Sequence, residues 1–120
     1  MSTIPGYKEL MASRPPEFEH DDAQFWILGD FNGGKAWVGR FRGESPWTRH
    51  PGDSFFFQAE GQVTLELLHA DGDQAHTVDA GTPVRIPGGT WYRVTSDGWA
   101  VQTGANPGET EHFEGKGRPQ

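Results

Sequence analysis

The chain has 120 residues, a formal charge of −7 and no cysteine. That length fits one domain with room for a core. The charge argues against a nucleic-acid binder, which carries a basic footprint. The lack of cysteine excludes a disulfide framework, a thiolate metal site and a cysteine nucleophile.

Composition leans towards β structure, with 17 Gly, 9 Pro and aromatics at 12% in short runs. No stretch has the apolar length of a signal peptide or a bilayer span. The expectation is a soluble cytoplasmic protein without membrane or nucleic-acid partners. Residues 1–22 read as a polar arm in which "YKELMA", Tyr7 to Ala12, makes one or two helical turns. "SRPPEF" ends them, because proline rejects a helix interior and pushes its predecessor to extended backbone. Short β-type runs then follow: "QFWILGDF", "KAWVGRF", "SFFFQAE", "QVTLELLHA", "AHTVDA", "TPVRIP", "TWYRVTS" and "WAVQTG". Between them stand "NGG", "PGD", "EG", "DGD", "AG", "PGG" and "SDG", whose residues tolerate positive φ or preset a turn. Strands at this spacing build a sandwich or a closed barrel. The barrel is expected over residues 23–104, and the polar, glycine-rich residues 105–120 as a tail or a partner-docked arm. Gly29 to Lys35 fits G-x-x-x-x-G-K, but Ala36 stands where a phosphate-binding loop needs Ser or Thr, and strand rather than helix follows. A glycine-rich hairpin turn is the better reading.

Two stretches carry a family likeness. "WTRHPGDSFFFQAEG", Trp47 to Gly61, and "GTPVRIPGGTWY", Gly81 to Tyr92, frame the middle of the chain. With the order of strands and turns over residues 25–103, they resemble the cupin family. The first cupin motif has the form H-x-H, an acidic ligand, an aromatic strand and a glycine; Thr48 and His50, Ser54 and Gly61 match those places. The second has the form G-x5-P-x-G-x2-H; Gly81, Pro87 and Gly89 match, and Tyr92 stands in place of the histidine. Within cupins, "FFFQAEGQVTLEL" followed by "VRIPGGTWYRV" is similar to 3-hydroxyanthranilate dioxygenases. The resemblance implies an all-β fold, an antiparallel cupin-type β-barrel (double-stranded β-helix or jelly roll). It implies a metal site of three histidines and a carboxylate, which suits Fe, Mn, Ni or Zn. At those positions this chain offers Thr48, His50, Ser54 and Tyr92, a thin donor set, so no metal or other cofactor is expected.

Strand parity says what remains. Side chains two apart share a face. Thr48 points with His50, Ser54 with Phe56 and Gln58, and Tyr92 with Val94, while Phe55 and Phe57 face outward. Convergent polar groups beside aromatic walls suit a small organic ligand. The expected ligand site is therefore Thr48, Ser54 and Gln58 with His50 and Tyr92, walled by Trp47 and Phe56, with Arg40 as an anion partner. His50 is the best general acid or base, because its ordinary pKa lies near neutrality. Tyr92 can donate a proton or bind a developing oxyanion. The plainer readings are a structural histidine beside a turn and a half-buried tyrosine filling the barrel. Arg40, Arg42, Arg49, Arg85 and Arg93 lie in or beside strands, and most are expected to pair with nearby acids. His69, His76 and His112 are expected to be exposed.

Three functions compete. The first is metal-independent proton-transfer chemistry on a small substrate: isomerisation, cyclisation, dehydration or decarboxylation. The second is a non-catalytic small-molecule binder or sensor. The third is an iron-dependent cupin dioxygenase with atypical ligands. The ligand is expected to be an aromatic or cyclic carboxylate or carbonyl compound. A homodimer is expected, because Phe55 and Phe57 need cover and open β edges are hazardous.

Overall fold

The computed structural model describes residues 4, 6–115 and 117–119; the rest of the expected terminal arms lies outside the described residues. The expected helical turns form α1 (Tyr7–Ser13), and Pro15 and Pro16 follow its end. Tyr7, Leu10 and Met11 lie three and four apart, so they share one helix face. That face packs against Trp26, Val38 and Val101 on the outside of the sheet. The Tyr7 hydroxyl donates to Glu60 at 2.8 Å. α1 is thus docked on its own barrel.

Next come β1 (Phe18–His20), β2 (Ala23–Phe31) and β3 (Gly34–Glu44). β1 pairs with β2 and β2 with β3, all antiparallel. The β2–β3 loop is Asn32-Gly33, with φ of 48° and 82°. Two positive φ values give the two-residue loop that matches strand twist. "GDFNGGKA" is therefore a hairpin.

The remaining strands are β4 (Thr48–Arg49), β5 (Ser54–Glu60), β6 (Val63–Leu67), β7 (Gln74–Val78), β8 (Pro83–Ile86), β9 (Tyr92–Asn106) and β10 (Glu111–His112). β9 is the axis of the fold and pairs antiparallel with β3, β4, β5 and β6. β5 also pairs with β8, β6 with β7, and β4 with β10. "TWYRVTS" and "WAVQTG" were expected as two strands; they are one, because β3 pairs across the intervening "SDG" on both sides, Phe41 with Ala100 and Gly43 with Ser96. Part of the expected tail is β-structure too: β9 runs to Asn106, and β10 returns to β4.

The inward faces form one apolar core of Phe41, Phe56, Val63, Leu65, Val94 and their neighbours, with Tyr92 packed against it. β5 alternates as its parity predicts: Ser54, Phe56 and Gln58 are buried, while Phe55 and Phe57 are 47% and 37% exposed.

Candidate functional site

β4 is only two residues long, but it holds the centre of the site. Thr48 lies in register with Tyr92 of β9 on one side and His112 of β10 on the other. Thr48 and His50 are both buried, as their shared parity predicts. The His50 carbonyl accepts from the amide of Gly89 at 2.8 Å, so the glycines of the second motif pin the first.

The imidazole of His50 is held at both nitrogens. Nε2 lies 2.8 Å from the Tyr92 hydroxyl and Nδ1 lies 3.3 Å from Thr110 Oγ1. Burial pushes the His50 pKa below its ordinary value, and the charge of His112 pushes the same way; a main-chain hydrogen bond at Glu109 opposes them. Burial pushes the Tyr92 hydroxyl up, so it stays protonated. The pair is therefore neutral imidazole against neutral phenol. His112 is exposed, as expected, yet its Nδ1 lies 3.3 Å from Thr48 Oγ1. Thr48 Oγ1 also donates to the carbonyl of Pro46 at 3.0 Å.

Other expected site residues are placed differently. Phe56 is a core residue on the face that Ser54 and Gln58 share. Gln58 is completely buried, and the protein itself engages its amide. Nε2 donates to the carbonyls of Glu60 and Gly61, and Oε1 accepts from Gln102 at 2.8 Å. It pins the turn after β5, a structural duty, rather than reaching towards His50. Trp47 alternates with Thr48 and so points the other way. Its ring lies under the guanidinium of Arg93 at 4.5 Å, on the outer face, not beside the His50 pair. Its buried Nε1 has no hydrogen-bond partner among the described residues.

Arg40 also departs from the expectation. It alternates with Phe41, which faces the core, so it lies on the opposite face. Its guanidinium stacks on Trp99 at 3.8 Å and reaches Gln24. Arg42, Arg49, Arg85 and Arg93 each meet a carboxylate, Asp22, Glu111, Asp53 and Glu66 in turn.

The sequence reading missed Thr110, His112 and the main chain of Glu109. Their signal was faint: Thr110 and His112 are two apart, so a strand would present both on one side. The run is too short and polar to read as a strand. A depression of about 670 Å³ lies elsewhere, lined in part by His69, Asp73, Trp91 and Arg118.

A scan against protein-family models finds no match, and a search of curated proteins finds none. Solved structures do match. A cupin superfamily protein from Desulfitobacterium hafniense superposes with a TM-score of 0.65 at 10% identity, covering 78% of this chain and 84% of that one. Oxalate decarboxylase from Bacillus subtilis gives a TM-score of 0.72 at 12% identity, over 86% of this chain. The fold is that of the cupins.

This cupin barrel spans about a third of oxalate decarboxylase, 31% of that chain, and 33% of hazelnut vicilin. It matches hydroquinone 1,2-dioxygenase from Sphingomonas with a TM-score of 0.63 at 18% identity, over 84% of this chain and 72% of that one. Among the described residues, no three His, Cys, Asp or Glu side chains are grouped to hold a metal ion. At the positions that match cupin ligands, His50 is the sole imidazole, and its Nε2 faces Tyr92. The phenol is held protonated by burial, while Thr48 and Ser54 offer only hydroxyls, which are poor ligands for such metals. This donor set does not fit a transition metal.

Proposed function

We propose that this chain is a small-molecule-acting cupin that works without a metal, with His50 and Tyr92 carrying proton-transfer chemistry. The observation that carries this reading is the 2.8 Å contact between His50 Nε2 and the Tyr92 hydroxyl. A neutral imidazole is a base and a protonated phenol an acid, and the two are joined at the edge of an apolar core. The pair can take a proton from one atom of a substrate and return one to another, which serves isomerisation, dehydration or decarboxylation. Thr48, beside Tyr92 in register, gives its hydroxyl hydrogen to the Pro46 carbonyl and so offers a lone pair to a substrate hydroxyl. The ligand class that suits this setting is a small cyclic or aromatic compound bearing a carbonyl or carboxylate. A structural neighbour, hydroquinone 1,2-dioxygenase from Sphingomonas, holds 4-hydroxybenzoate, an aromatic carboxylate of this class.

The test is a panel of such compounds screened by thermal shift and then assayed for turnover, with metal content measured on the same protein by plasma mass spectrometry. Turnover in wild type that is lost in His50→Ala and in Tyr92→Phe, at unchanged fold, is the expected result. Close to one chelation-resistant iron, nickel, zinc or manganese per chain would overturn the metal-free reading. Binding that persists in both variants without any turnover would favour a sensor. We further propose that two copies pair through the exposed Phe55 and Phe57.

A further inference from the structure

The proposed pair is closed off. His50 is 3% exposed, and both of its ring nitrogens have a side-chain neighbour. The Tyr92 hydroxyl lies 2.8 Å from Nε2, and Thr110 Oγ1 lies 3.3 Å from Nδ1. A small molecule reaches the imidazole only when one of the two withdraws. Tyr92 is fixed on both sides: it lies in register with Thr48 of β4 and Leu67 of β6, and it packs against the core. Thr110 is exposed and sits in the link between β9 and β10. β10 is two residues long and ends the sheet beside β4.

Little holds this segment down. The Gly108 amide donates to the Gly33 carbonyl at 3.2 Å, and the Phe113 amide to the Trp47 carbonyl at 2.9 Å. The Phe113 ring meets Trp91 edge-on. Glu111 meets Arg49 in register, but their side chains are 56% and 37% exposed. An exposed ion pair contributes little. Glu109, Thr110, Glu111 and His112 are all exposed. A segment with few buried apolar contacts opens far more readily than the strands beneath it.

We infer that residues 108–113 form a strap over the proposed site, which lifts from β4 to admit a small molecule to His50 and closes again with Thr110 on the imidazole. The inference rests on the reading of His50 and Tyr92 as the site. Lifting uncovers two groups at once, because His112 leaves Thr48 Oγ1 as Thr110 leaves His50 Nδ1. Thr48 and His50 share a face of β4, so both groups turn to the same ligand. Thr110 presents a hydroxyl to Nδ1, so a ligand hydroxyl replaces it there like for like. Arg49 and Glu111 lie on the other face and act as the fastening.

Carbethoxylation by diethyl pyrocarbonate, followed residue by residue with peptide mass spectrometry, reads access to His50 without a substrate. Arg49→Cys with Glu111→Cys places two thiols at facing positions of an antiparallel pair, within disulfide reach. The chain has no other cysteine. Oxidation should slow the labelling of His50 about tenfold or more, and reduction should restore it. Exposed His76 on β7 should label equally in both forms. Glu111→Arg, which sets two arginines face to face, should speed the labelling of His50 about threefold over wild type. Equal His50 rates in the oxidised and reduced forms, or no gain in Glu111→Arg, overturn the strap. So does a wild-type His50 that labels only when the whole chain unfolds. Where a compound turns over, the oxidised form should lose turnover and regain it on reduction; undiminished turnover overturns the strap and leaves the chemistry of the pair intact. Gated labelling of His50 with no compound turned over retires the catalytic proposal and leaves the strap standing.

Discussion

His50 brings together burial, two side-chain partners and a neighbouring histidine. Its folded pKa lies below the ordinary 6.5, so the folded chain resists a proton that the unfolded chain accepts. The sign follows: the contribution is complete above the unfolded value and is lost as pH falls through the folded one. The melting temperature should therefore drop as pH is lowered from neutrality into the acid range below 6.5, and the drop should be shallower in His50→Gln. Calorimetry of both proteins across that range checks it; equal slopes would place the burial penalty elsewhere. Glu17 and Asp53 are also held low, by main-chain hydrogen bonds, but from ordinary values of 4.5 and 3.8 they act in a lower window. His50 and Tyr92 were legible because the cupin-like motifs mark their positions and parity gives their direction. Thr110 and His112 were not, since only register across β4 and β10 brings them in.

At the level of elements, β9 decides most of the fold. Gly104 is a point of close approach between β9 and β5: a Cβ there would overlap the Phe55 carbonyl oxygen and press on Cα of Phe56. Both are β5 atoms, in register with this stretch of β9. No rotamer relieves a clash with backbone. Gly104→Ala should cost more than about 3 kcal/mol in chemical denaturation, at the severe end for one substitution. A cost below about 1 kcal/mol would mean that β5 moves aside easily. β5, β6, β7 and β8 were legible as separate strands, because alternation and turn residues are local signals. β4 and β10, two residues each, have no period to read. The division of β9 at "SDG" was a correct reading of local turn chemistry overruled by a partner strand.

For the whole molecule, the outer face of the sheet is only partly covered. α1 covers Trp26, Val38 and Val101, but Phe55 and Phe57 are 47% and 37% exposed beside Ala105 and Thr103. Clustered exposed aromatics usually mark an interface. Closed two-fold pairing is the commonest way to cover one. Light scattering should give twice the chain mass at tens of micromolar, and Phe55→Glu with Phe57→Glu should give the single-chain mass with the fold intact. A wild-type monomer would remove the dimer. α1 and β10 dock on their own barrel. Among the described residues, no helix is long and apolar enough to cross a membrane.

The sequence by itself determined β5 to β8, the inward face of β5 and the glycine–proline frame of a cupin barrel, because periodicity and turn chemistry act between near neighbours. The residues at the cupin-like motif positions, Thr48, His50, Ser54 and Tyr92, are also read from the sequence alone. The tertiary structure decided which polar residues meet. Gln58 went to a turn and to Gln102, and Arg40 to Trp99, by contacts no local pattern encodes. Thr110 came to His50 across a sequence separation of 60 residues, through a two-residue strand whose place is set only by the register of its neighbour.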